Sequence, residues 1–131
     1  MPSISFMPSI PMLEVFLVSD PDQLYKVKRF KQMLLPPIDN AVAKTCHMRN
    51  AESGEEIIVI LYPDLLEDEP AHVFSTLVHE AVHAWDYIRS VYGYEHEMET
   101  NAYAIEHIYK GLVKIYSKHH RKQEKKNAKG T

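Results

Sequence analysis

Disulfides are excluded from this chain. Its 131 residues contain one cysteine, Cys46, so no intramolecular bridge can form, which suits a reducing compartment. Cys46 lies in a β-like stretch and is expected as a small buried apolar residue. No apolar run approaches the length needed to span a membrane. The first eleven residues carry no Lys or Arg and are interrupted by three prolines. They lack the basic and apolar regions of a secretory leader, and a cytoplasmic location is expected. The rest of the composition, 45% hydrophobic and 25% charged, suits one soluble domain with a modest core.

Acids are almost missing from the C-terminus. Residues 118–131 carry six Lys/Arg against one Glu, a net of +5, and Ala128 is their only apolar side chain. The preceding 117 residues carry nine Lys/Arg against seventeen acids, a net of −8, which together give the formal −3. The expected organisation is therefore one domain over residues 1–117 and a basic tail over 118–131. That tail is expected to begin as a solvated helix end and then fray. Its charge alone would suit nucleic acid or an acidic partner. No aromatic residue interleaves the charges, so base stacking is unsupported, and nucleic acid is not the expected partner.

The chain order reads as strand, helix, strand, strand, helix, helix. Residues 12–18 are apolar enough for a buried strand. Ser19-Asp20-Pro21-Asp22 is a helix start, with a capping residue, Pro at the first helical position and an acid in the first turn. Leu24, Val27, Phe30, Met33 and Leu34 follow at helical spacing, and Pro36-Pro37 stops that helix. Residues 44–49 and 56–62 flank the turn Asn50–Gly54 and predict a hairpin. Residues 57–62, just before the longest helix, are the expected sheet edge on which an extended peptide would pair.

That helix carries His79-Glu80-Ala81-Val82-His83 inside the Gly- and Pro-free run Val73–Trp85. Residues four apart share a helix face, so both imidazoles can reach one metal ion. Two histidines leave a tetrahedral Zn²⁺ short of one protein ligand, with the last position for water. Glu80, one residue past the first His, is placed to act as general base. Trp85, Val78, Val82 and Ile88 are expected in the core.

Gly93 is a natural stop for this helix. Three acids follow, Glu95, Glu97 and Glu99, at the start of the next one. Glu99 is the expected third ligand because it lies deepest in that helix and the small Ala102 follows it. Glu95 and Glu97 read as acids complementing the helix dipole. Asp86 is the expected hydrogen-bond acceptor for a ligand histidine, with Thr76 and Ser90 on the same face. Tyr103 is the expected donor toward a developing oxyanion. His107, Tyr92, Tyr94 and His96 are further candidates, Glu106 shares the face of Glu99, and Asn101 could orient a loop or a ligand. His47 and His72 lie outside the two helices and are not expected to bind metal.

Glu99-Thr-Asn101-Ala-Tyr103-Ala104 resembles the E-A-N-x-F-A segment that follows H-E-x-x-H in the ImmA/IrrE-type metallopeptidases. Those are small gluzincins, frequent on bacterial mobile elements and in phages. Thr replaces the family's Ala and Tyr its Phe, and the resemblance covers residues from about 73 to 107. It implies an α+β, minimal zincin-like fold: a three-stranded sheet packed on the motif helix and the Glu helix. It also implies a bound Zn²⁺ with His79, His83 and Glu99 as ligands. The function it implies is hydrolysis of a protein or peptide substrate, in the host cytoplasm or in a virion. The alternative is a non-catalytic structural or adaptor protein in which zinc is a staple.

Overall fold

The computed structural model describes residues 3–4, 13–25, 35, 41–50 and 52–129. The elements are β1 (Ser3–Ile4), β2 (Glu14–Val18), α1 (Pro21–Tyr25), β3 (Lys44–Arg49), β4 (Glu56–Leu61), α2 (Pro70–Tyr92) and α3 (Met98–Lys129). The α+β architecture expected from the sequence is the one that forms. A mixed sheet of β2, β4 and β3 packs against two long helices, and the two-residue β1 extends it in the order β1-β2-β4-β3. β2 and β4 run parallel, while β1 and β3 are antiparallel to their neighbours.

Both faces of the sheet are covered. Val15, Leu17, Ile58 and Ile60 point toward α2 and α3, where they meet Leu77, Ala81, Trp85, Ile108 and Leu112. Phe16, Val18, Ile57, Val59 and Leu61 point the other way and enclose Leu24 of α1. This is why β4 is apolar without alternation from Ile57 to Leu61. The β3–β4 hairpin closes through Gly54, whose φ of 75° is the left-handed conformation glycine adopts without steric cost. Asn50 secures the turn by accepting the N–H groups of Glu52 and Ser53 on its side-chain oxygen, at 2.9 and 3.2 Å.

Helix α1 starts where Pro21 predicts. The Asp22 N–H donates to Asp20 Oδ1 at 3.0 Å. The Ser19 N–H donates to Gln23 Oε1 at 3.0 Å, and the Gln23 amide donates back to Ser19 Oγ at 3.1 Å. The stretch from Val27 to the Pro36-Pro37 stop lies outside the described residues, apart from Leu35.

Two expectations need correction. β4 is not an edge: β2 and β3 take its two sides, and β3 is the outermost strand there. The parallel pairing of β4 with β2 places β4 inside the sheet, and the hairpin then carries β3 outward. β3 also has the charged composition of an edge, with Lys44, His47 and Arg49. Val78 and Val82 are not core residues, at 42% and 47% exposed. The buried face of α2 is Val73, Leu77, Glu80, Ala81, Ala84, Trp85 and Ile88. At 100° per residue, Val78 and Val82 fall beyond that arc, whereas Trp85 and Ile88 fall within it.

Helix α2 ends at Gly93, φ 71°, with the Tyr94 N–H on the Arg89 carbonyl at 3.0 Å. Glu97 then caps α3. Its carboxylate accepts the N–H groups of Glu99 at 3.0 Å and Thr100 at 2.7 Å, and bonding from Thr100 and then Glu99 holds its pKa below the usual value. Ala104, Ile108, Leu112 and Tyr116 form a buried stripe at i, i+4 spacing. The basic segment expected to fray continues α3 as helix to Lys129. Its first turn packs: His119 lines a small cavity with Leu17, Ser19, Gln23, Leu65 and Leu66. Among the described residues, no helix is long and apolar enough to cross a membrane.

Burial, followed by the charges of Lys122 and Lys118, lowers the His119 pKa from the ordinary value of 6.5. The unfolded chain therefore takes up this proton at a higher pH than the folded one. Stability is expected to fall as the pH drops below about 6.5, and to be insensitive to this group above it. Thermal melts at pH 5.5 and 7.5 check this: His119→Gln should lose less melting temperature between the two than the wild type. An equal loss in both would show that His119 is not responsible.

Candidate metal centre

The approach to α2 is fixed before its first turn. The buried Tyr62 donates its hydroxyl to Asp68 Oδ2 at 2.6 Å, and His72 Nδ1 lies 3.1 Å from the same oxygen. Burial first, and then the Asp68 bond, push the Tyr62 pKa up to about 12. The 63–69 turn is thus pinned to the helix it feeds, and Pro70, which has no N–H, starts that helix where no backbone donor is needed.

His79 and His83 share the solvent-facing side of α2. Their Nε2 atoms are 3.1 Å apart and their rings 4.8 Å apart at 68°. Two imidazole ligands on one tetrahedral ion, with bonds of about 2.0–2.1 Å, would place those nitrogens about 3.3 Å apart. The pair therefore fits a shared divalent ion at two of its positions. Glu80 points the other way, between α2 and the sheet, and is only 5% exposed. Its Oε2 accepts the hydroxyl of Thr45 at 2.5 Å. Thr45, 7% exposed, belongs to the edge strand β3. His79 and Glu80 nevertheless open on one cavity of about 340 Å³, walled by Ala41, Val42, Ala43, Ser75 and Thr76.

Of the other expected residues, Thr76 lines the His79 cavity, while the acids and tyrosines are not assembled around this pair. Glu99 is exposed at the start of α3. Among the described residues no three His, Cys, Asp or Glu side chains gather as a metal-binding group, so neither Glu99 nor its neighbours 95 and 97 stand beside the histidines. Asp86 is exposed and accepts Arg89 at 3.2 Å. Tyr103 is 60% exposed on α3 and lines a separate hollow with Glu106, His107 and Lys110. Glu106 pairs with Lys110 at 2.9 Å. Tyr94 stacks on Trp85 and Tyr92 on Tyr94, with centroids 6.1 and 5.5 Å apart. Asn101 Oδ1 accepts the Trp85 indole N–H at 2.7 Å, and its amide donates to His96 Nδ1 at 3.0 Å. In this fold Asn101 joins α3 to α2.

Thr45 is the site residue that the sequence reading missed. It lies 35 positions from its partner, in a strand whose local pattern says nothing about a helix carboxylate. His47, two residues on, faces α2 as well. Its ring is 6.1 Å from Tyr87, and its Nε2 is 3.6 Å from Glu56 Oε1.

Thr45→Val keeps the shape and leaves the buried Glu80 carboxylate without its donor. It should cost about 1–3 kcal/mol, read as a lower midpoint in chemical denaturation, and Thr45→Ser should restore most of it. A Val variant as stable as the wild type would show that the bond is dispensable. Compared with family models, with curated proteins and with solved structures, the chain finds no match, and its chemistry must be read from these side chains.

Proposed function

We propose that this chain is a zinc-dependent metallopeptidase acting on a protein or peptide. The observation that carries the reading is a pair of imidazoles, 3.1 Å apart, one of which, His79, opens on the same cavity as a buried carboxylate. His79 and His83 would hold the ion. Glu99 does not stand beside the histidines here; its carboxylate, which no other described group engages, is the proposed third ligand once the start of α3 is drawn toward them. A zinc ion held there would supply a water of lowered pKa and polarise the scissile carbonyl.

The chain's own part is positioning and proton transfer. Among the described strands β3 is the outer one beside the motif helix, and an extended peptide could pair with it by backbone hydrogen bonds. Glu80 accepts the proton of the attacking water as its oxygen bonds to the carbonyl carbon. It returns that proton to the amine nitrogen as the C–N bond breaks. Thr45 holds one carboxylate oxygen, which leaves the other for that task.

The engagement of Glu80 by Thr45 also favours a second reading, in which Glu80 braces α2 against β3 and zinc is only a staple. Glu80→Gln separates the two. For a peptidase, the variant should keep its zinc while cleavage of a proteome-derived peptide library falls by on the order of 10²-fold or more. Cleavage at the wild-type rate would reject Glu80 as the base.

Elemental analysis tests the metal. One zinc per chain is expected, lost in His79→Ala and in His83→Ala. Glu99→Ala should weaken binding by about 10-fold or more, and Glu95→Ala should leave it unchanged. Full metal retention in either histidine variant would reject the site, and unchanged affinity in Glu99→Ala would reject the third ligand. Because ligand imidazoles must be neutral, occupancy should also fall below about pH 6.

A further inference from the structure

The continuation of α3 to Lys129 aligns charges that a frayed tail would scatter. Lys110, Lys114, Lys118, Arg121, Lys125 and Lys129 recur at spacings of four, four, three, four and four residues, which keeps them on one helix face. All six are exposed. Lys122 and Lys126 extend the set on an adjoining line. Between 110 and 129 there are eight Lys/Arg and a single acid, a net of +7 in a chain whose total is −3, so the other residues carry −10.

Few of these charges are neutralised internally. Among the described residues, ion pairing takes only Lys110 from the ladder, through Glu106 at 2.9 Å. Glu124 lies 3.5 Å from His120. Like charges four residues apart destabilise a helix, and this helix repeats that arrangement from Lys110 to Lys126 and from Arg121 to Lys129. The same density of charge contributes, after burial, to holding down the His119 pKa. An anionic partner would relieve the repulsion.

The composition of the face selects among anions. A helix lying on a lipid surface needs an apolar side to enter it. Here Ile108, Leu112 and Tyr116 are committed to the core, and Ala128 is the only apolar residue after 117. An amphipathic acidic peptide needs an apolar groove for its anchors; the hollow lined by Phe74, Tyr109 and Val113 borders only Lys110 and Lys114 and leaves the ladder from Lys118 to Lys129 without one. Single strands are held by stacking on aromatic rings, and no ladder position is aromatic. A duplex needs only cations placed along its phosphates. The ladder spans 19 residues, about 28 Å of helix, which matches about eight phosphates of one strand at about 3.4 Å each.

We propose that the Lys110–Lys129 face of α3 docks on the phosphate backbone of a nucleic-acid duplex, without sequence preference. This does not depend on the peptidase reading. The acidic remainder of the chain would face away from the duplex, so the molecule binds in one orientation.

The test is fluorescence anisotropy of a labelled 20-base-pair duplex titrated with the full chain. Saturable binding is expected at 50 mM salt. If five phosphates are neutralised, affinity should be about 500-fold weaker at 200 mM. The quadruple change Lys114→Gln, Lys118→Gln, Arg121→Gln and Lys125→Gln should weaken binding at least 10-fold at 50 mM. Circular dichroism should show its helix content unchanged. Replacing the three lysines among those four by Arg should preserve binding, and serves as the second variant if the first misfolds. A duplex of shuffled sequence should bind equally. The proposal is overturned if the wild type does not bind at 50 mM salt, or if the Gln variant binds like the wild type. It is also overturned if a single strand, polyglutamate or phosphatidylserine vesicles bind as tightly as the duplex.

Discussion

A single buried hydrogen bond, from Thr45 to Glu80, sets how the motif helix lies on the sheet. A carboxylate between a helix and a sheet must find a donor there or return to water. Returning to water would require α2 to rotate about its axis. That rotation would lift Ala81, Ala84 and Ile88 off Ile58 and Ile60, and would carry Trp85 away from Asn101. With Glu80 held inward, the residue before it and the residue three beyond it point outward on the opposite flank. The exposure of the His pair is therefore set by the same contact that buries the carboxylate.

Edge strand β3 gains its importance from this contact. It contributes Thr45 on the side facing α2, and it leaves its outer backbone unpaired among the described strands. Peptide docking and the orientation of the carboxylate would thus meet in one six-residue strand. The cavity walls around His79 are short side chains: Ala41, Val42, Ala43, Ser75 and Thr76. Room next to the imidazole is obtained there by small residues rather than by a deep cleft, which suits a chain of this length.

Much of this was legible locally. Pro21 and Pro70 at helix starts, Gly93 at a helix end and Gly54 in a hairpin each encode a backbone requirement within a few residues. The His79–His83 face follows from the helical period alone. What was not legible depended on distant partners. No local pattern shows that β4 pairs with β2, and that pairing makes β3 rather than β4 the edge. Val78 and Val82 are apolar, but α2 has apolar residues around more of its circumference than its neighbours cover. Thr45 gives no local sign of its bond to Glu80. The last three turns of α3 look like a solvated tail by composition. Helix is cheap to propagate once a buried stripe from Ala104 to Tyr116 has nucleated it. Glu99 was selected by depth in its helix and by resemblance, and neither fixes which way α3 turns its first residues relative to α2.

The joint between the two helices has an optical consequence. Trp85 is the chain's only tryptophan. It is buried, hydrogen-bonded to Asn101 and stacked against Tyr94. Its emission comes from one defined place, the contact that holds the start of α3 against α2, and should be blue-shifted while that contact is closed. A ligand drawing Glu99 toward the histidines would have to shift this end of α3, and the indole would register it. Events confined to the far end of α3 would leave the signal unchanged. The protein thus carries a built-in fluorophore that distinguishes movement at one end of its longest helix from contact at the other.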